Sequence, residues 1–164
     1  MIFKLLAQLS RIFVGGMFIF SGFVKLVDPI GSQYKFEEYF SESVLNIEFL
    51  IPYALPFSIL LIIAEITLGV LLLLGYRSKF TIWSLLGLTT IFLFLTWYSA
   101  YYNKVTDCGC FGDAIKLSPW ETFYKNIILI ILTVFLLIRV KDIKPIFPEK
   151  ISSCLLYTSD AADD

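Results

Sequence analysis

The sequence predicts an all-α membrane protein: a four-helix transmembrane bundle with a short amphipathic interfacial helix in its first outer loop. Three observations predict it. Hydrophobic residues make up 58% of the 164-residue chain and the mean hydropathy is +0.81, above the roughly 45–50% apolar share of soluble domains. Charged residues are only 16% of the chain and cluster between long apolar runs. Four of those runs reach the ~20 residues needed to cross a hydrocarbon layer ~30 Å thick. A soluble core of this size cannot bury so much apolar surface, so lipid is the solvent.

The spans fall at about residues 5–27, 52–75, 80–102 and 119–140. The first stops at Asp28-Pro29-Ile30-Gly31, a helix-terminating signal. Its polar residues recur on one helical face and no small-residue cleavage site follows, so it reads as a retained span. The fourth opens at Ser118-Pro119-Trp120-Glu121, with Ser118 as N-cap, Pro119 as first helical residue and Glu121 as reciprocal cap partner. In the first outer loop Phe36, Tyr39, Phe40, Val44 and Ile47 follow helical spacing, while Lys35, Glu37, Glu38 and Glu42 take the opposite face. That helix is expected to lie on the membrane surface; capping the bundle beside the third loop is its sharper role.

Residues 1–145 form the expected membrane domain, and 146–153 begin a C-terminal region that is expected to continue further. Residues 154–164 read differently. Cys154 to Asp163 resembles a transposase sequencing adapter translated in one frame, so it is set aside from fold reasoning and Cys154 is expected to carry no function. Dropping Asp160, Asp163 and Asp164 changes the formal charge from −1 to 13 basic against 11 acidic residues, or +2.

Lysine and arginine set the orientation. The N-terminus, second loop and C-terminus hold Lys4, Arg11, Arg77, Lys79, Arg139, Lys141, Lys144 and Lys150. The first and third loops with their flanks hold Lys25, Lys35, Lys104, Lys116 and Lys125. Eight against five predicts both termini on the cytoplasmic side and the third loop extracytoplasmic. Trp97, Tyr98, Tyr101 and Tyr102 would then form an aromatic belt at the outer interface.

That third loop carries Asp107-Cys108-Gly109-Cys110-Phe111-Gly112-Asp113. Two thiols separated by one glycine, on an oxidising side, form a strained small-ring disulfide or a reactive dithiol. Strained, exposed disulfides have the higher potentials expected of exchange catalysts, and glycine supplies the backbone torsions such a ring needs. Gly109 and Gly112 thus shape the loop. The fourth helix's N-terminal dipole favours a thiolate, whereas Asp107 and Asp113 oppose one. A metal site recruiting carboxylates, a structural disulfide and two inert thiols stay open as alternatives; no metal is expected.

A second constellation lies in the membrane. Glu65 sits near the middle of the second span, where an ionisable group is costly and a functional candidate by default. Arg11, Gly15, Phe18, Gly22 and Lys25 share one face of the first span. Antiparallel packing is expected to level Glu65 with Gly15 and Gly16, bringing Arg11 within reach as its ion-pair partner. Lys25, ~13 Å further out at 1.5 Å per residue, is expected to snorkel outward. The sharper reading of Glu65 is a proton relay or a ligand for a quinone head group.

Several classes are excluded. Histidine is absent, which removes the commonest haem and metal ligand and the usual general base; no haem is expected. There is no phosphate-binding glycine loop, no basic surface for nucleic acid and no Ser-His-Asp set.

Arg11-Ile12-Phe13-Val14-Gly15 with Phe18 to Pro29, and Glu65 followed by Gly69 and Leu74-Gly75-Tyr76-Arg77, resemble DoxX-like membrane proteins. The cysteine block, followed by Trp120-Glu121-Thr122-Phe123, resembles the related MauE branch, linked to methylamine utilisation. The resemblance spans about residues 5–145. It implies a four-helix membrane domain. The MauE branch implies a part in forming or delivering disulfides to periplasmic partners; the DoxX branch implies a subunit of quinone-linked or sulfur-redox complexes. The resulting expectation is thiol–disulfide or quinone-linked redox through Cys108 and Cys110, with a periplasmic thiol or disulfide protein as partner. The alternative is a non-catalytic membrane anchor of a respiratory or sulfur-redox complex.

Overall fold

A computed structural model describes residues 2–41, 46–102 and 118–143. Every regular element among them is helical: α1 (Ile2–Val27), α2 (Pro29–Phe40), a 3-10 segment (Glu48–Tyr53), α3 (Ala54–Leu74), α4 (Ser78–Tyr102), α5 (Pro119–Ile138) and a 3-10 turn (Val140–Asp142). Four helical stretches, Ile2–Val27, Phe49–Leu74, Ser78–Tyr102 and Pro119–Ile138, are long and apolar enough to cross a membrane. The protein is an integral membrane protein with an all-helical fold.

Local chemistry sets the ends. Ser118 accepts from the Glu121 backbone N–H while Glu121 Oε2 accepts from the Ser118 N–H at 2.8 Å, which completes the expected capping box. Gly75, at φ 72°, closes α3 in the left-handed conformation. The Tyr76 N–H donates to Leu71 O and the Gly75 N–H to Leu72 O, both at 3.1 Å, a Schellman ending that favours glycine.

The inside is more polar than the outside. Leu60, Ile63 and Ile131 are exposed on the helix surfaces, whereas Ser58, Thr81, Thr89, Thr96, Thr122 and Thr133 are buried. The threonines tolerate burial by bonding back one turn: Thr89 Oγ1 donates to Leu85 O at 2.6 Å and Thr133 Oγ1 to Leu129 O at 2.7 Å. Small side chains let helices approach closely where lipid removes any hydrophobic drive between them. Val14, Phe18, Leu72, Ile82, Leu85, Leu129 and Leu136 fill the core.

α1 and α3 pack antiparallel through glycines. A Cβ at Gly22 would meet Ile66 at 2.6 Å and Glu65 at 3.2 Å; one at Gly15 would meet Leu73 at 2.8 Å and Gly69 O at 3.2 Å. These neighbours fix the register. Glu65 is level with Gly22, not with Gly15 and Gly16 as expected, a difference of about two turns.

The amphipathic helix begins earlier than its pattern suggests. Asp28 does not only end α1: its Oδ1 accepts from the Gly31 N–H at 2.9 Å and caps α2 directly. Ile47 lies beyond this helix, and Glu42 and Val44 fall outside the described residues. Tyr39 packs on Leu95 and Tyr98, and the Phe40 ring meets Phe57 edge-on at 6.0 Å. α2 therefore caps one end of the bundle rather than resting on lipid alone.

Candidate functional site

Lys25 and Glu65 form a buried ion pair between α1 and α3. Lys25 Nζ donates to Glu65 Oε1 at 2.8 Å, to Oε2 at 2.9 Å and to Ser21 Oγ at 2.9 Å. Those three contacts use all the hydrogens of the ammonium. Nζ also lies 5.4 Å from the centroid of the Phe92 ring. Lys25 is 4% exposed and Glu65 1%. The expected outward snorkel of Lys25 is thus corrected: side chains on a helix lean toward its N-terminus, so Lys25 reaches back to Ser21 and meets Glu65 at the level of Gly22.

The expected Arg11–Glu65 pair does not form. With the register moved two turns, Arg11 sits at the C-terminal end of α3. Its Nε donates to Leu72 O at 2.8 Å, one terminal nitrogen donates to Leu73 O, and the other reaches Gln8 Oε1 at 3.2 Å. A buried cation there gives the Leu72 carbonyl a second donor beside the Gly75 N–H, binds the Leu73 carbonyl in the last turn, and complements the negative end of the helix dipole. Arg11, Glu65 and Lys25 are all embedded, but only two of them meet.

Four further polar groups, Ser21, Thr89, Lys125 and Asn126, gather beside the pair, and sequence reasoning did not assign them to the site. A small cavity between the helices is lined by Ser21, Glu65, Thr89, Phe92, Lys125 and Asn126, among others. Asn126 Nδ2 donates to Thr96 Oγ1 at 3.2 Å and ties α5 to α4. Lys125 shares the electrostatic environment of Lys25 and Glu65. The cavity leaves about 20 Å³ for the centre of a water molecule, room for one or two waters. The available signal was position: Lys125 and Asn126 are polar residues a short way inside an apolar run. Lys25 itself lay on the face with Arg11, Gly15, Phe18 and Gly22, all buried.

At the same end of the bundle, the Tyr39 hydroxyl is buried beside the Ser99 hydroxyl, with no partner in strict hydrogen-bond geometry among the described residues. Burial pushes its phenol up to about 12, with the Ser99 hydroxyl opposing the shift and Glu38 adding to it. The aromatic side chains near the end of α4 pack on one another: Trp97 stacks on Tyr101 at 5.8 Å, and Tyr98 meets Tyr102 at 4.6 Å.

Cys108 and Cys110, with Asp107, Gly109, Gly112 and Asp113, lie outside the described residues. Their tethers do not. The chain leaves α4 at Tyr102 and re-enters α5 at Pro119, so both anchors of the cysteine segment stand at one end of the bundle. Lys125 lies six residues inside α5, roughly 9 Å along its axis. The described residues contain no cluster of three or more His, Cys, Asp or Glu side chains able to hold a metal.

The family model described as Methylamine utilisation protein MauE matches residues 3–139, nearly the whole helical bundle and the cysteine segment within it. The chain belongs to the MauE family. The resemblance read from the DoxX-like first span and the cysteine block is borne out by that match. Protein TlpB of Flavobacterium psychrophilum is 30% identical over 127 residues, covering 72% of this MauE-family chain and 34% of TlpB. The chain thus spans about a third of the length of that curated relative. No solved structure matches it.

Proposed function

We propose that this MauE-family protein is a membrane thiol–disulfide redox protein in which Cys108 and Cys110 exchange with an extracytoplasmic protein partner. The observation that carries the reading is a Cys-Gly-Cys segment held between two spans, inside the stretch that the MauE model matches. The chemistry is ordinary exchange. A thiolate of one protein attacks a disulfide sulfur of the other, a mixed disulfide forms, and the second thiolate resolves it. One S–S bond breaks as another forms, and two electrons with two protons pass from dithiol to disulfide. The relative potentials set the direction.

The distribution of charge supports the sidedness. The bundle end bearing the α3–α4 turn holds Lys4, Arg77, Lys79, Arg139 and Lys141 among its described side chains. The other end holds Asp28, Glu37, Glu38 and Glu121 against Lys35. Under the positive-inside rule the basic end is cytoplasmic and the cysteine segment faces the oxidising side.

Trapping the mixed disulfide tests the exchange. A Cys110→Ser variant, expressed with its natural partners and quenched with acid and alkylating agent, is expected to carry a covalent partner through Cys108. Reductant should release that partner. If neither Cys108→Ser nor Cys110→Ser yields an adduct, yet a stoichiometric partner co-purifies non-covalently with both, the protein is an anchor subunit and the exchange reading fails.

A further inference from the structure

The basic end of the bundle carries a surface feature that thiol chemistry does not use. α3 stops at Gly75, and α4 starts three residues later at Ser78. Arg77 takes a positive φ of 41° in this tight turn. Arg77, Ser78, Lys79, Phe80 and Trp83 line an open depression of about 620 Å³, within the size range of small-molecule sites. Arg77 and Lys79 are exposed. The ion pairs among the described residues are Lys25–Glu65 and Lys35–Glu38, so neither of these two cations faces a carboxylate there. Arg77 lies 6.0 Å from the Tyr76 ring centroid.

Phe80 and Trp83 follow at i and i+3 on α4, 67% and 55% exposed. The depression therefore has a cationic rim toward water and an aromatic floor running toward the hydrocarbon. The positive end of the α4 dipole opens beside the same rim.

We propose that this depression is a binding site for one anionic phospholipid. The phosphate of the head group would sit between Arg77 and Lys79, and an acyl chain would lie along Phe80 and Trp83. Charge complementarity selects the head group: the surrounding end of the molecule is basic, and a polybasic surface at the membrane draws anionic lipid. A soluble phosphate would match the rim alone and leave the aromatic floor without a role. The proposal stands independently of the cysteine chemistry, because no residue is shared.

Native mass spectrometry of the full chain tests it, after delipidation and addition of phosphatidylglycerol or phosphatidylcholine in matched detergent. Wild type is expected to retain one phosphatidylglycerol at least tenfold in preference to phosphatidylcholine. The Arg77→Gln/Lys79→Gln variant is expected to lose the preference, and Lys4→Gln/Lys141→Gln at the same end to keep it. Equal retention of both lipids by wild type overturns the site, whatever the variants do. So does an undiminished preference in the Arg77/Lys79 variant. Competition by inorganic phosphate at the lipid's own concentration assigns the depression to free phosphate and overturns the lipid assignment.

Discussion

Lys25 has each of its ammonium hydrogens on an oxygen, and Glu65 has both carboxylate oxygens on Lys25. Such a pair is costly to bury and more costly to break, because removing one partner strands a charge in a medium that cannot solvate it. Lys25→Met or Glu65→Met alone is expected to destabilise the bundle by about 3–5 kcal/mol, read as a lowered unfolding midpoint in detergent. The double Lys25→Met/Glu65→Met variant is expected to recover most of that loss. A double variant as unstable as the worse single would show that the pair does more than neutralise itself. Tyr39 gives the opposite case. Its buried hydroxyl makes no well-formed hydrogen bond among the described residues and has Ser99 as its polar neighbour, so Tyr39→Phe should be close to neutral. Its raised pKa has a sign as well. Between pH 10 and about 12 the folded phenol keeps a proton that the unfolded chain has released, so stability present below pH 10 falls across that window. Alkaline unfolding curves of wild type should show that fall, and Tyr39→Phe should flatten it.

Helix contacts explain why the embedded charges were legible in the sequence while their pairing was not. The face Arg11, Gly15, Phe18, Gly22 and Lys25 follows from helical spacing, and the structure buries all of it. Which residue of α3 each one meets depends on the register of two antiparallel helices, which helical spacing within either one does not reveal. Close contacts at Gly15, Gly22 and Gly69 fix it and set Glu65 level with Gly22, about two turns nearer Lys25 than expected. The ends were easier, because Ser118 with Glu121, and Gly75, encode their caps locally. The register itself can be tested. A Cβ at Gly69 would lie 2.9 Å from the Gly15 carbonyl oxygen, whereas one at Gly87 would meet nothing within 4 Å. Gly69→Ala is therefore expected to cost about 1–3 kcal/mol through a forced separation of α1 and α3. Gly87→Ala should be neutral or gain up to about 1 kcal/mol of helix propensity. Equal effects at the two sites would contradict the α1–α3 packing.

At the scale of the whole molecule, composition alone shows the class. Apolar runs of membrane-spanning length, polar side chains turned inward and exposed Leu and Ile on the outside all follow from lipid as solvent. The family follows from the matched stretch. The candidate site was legible as two separate clusters, a thiol pair on a loop and ionisable residues in the membrane. The structure builds the second into a four-helix polar centre, with Lys125 and Asn126 added from α5. The thiols lie between Tyr102 and Ser118, outside the described residues, so their role rests on chemistry and family. Intact cells labelled with a membrane-impermeant maleimide, before and after mild oxidant or reductant, measure that role most directly. The account predicts that Cys108 and Cys110 react from outside after reduction and become protected together after oxidation, with either serine variant unable to become protected. Thiols that keep one state under both challenges, or that react only after the membrane is opened, would contradict it.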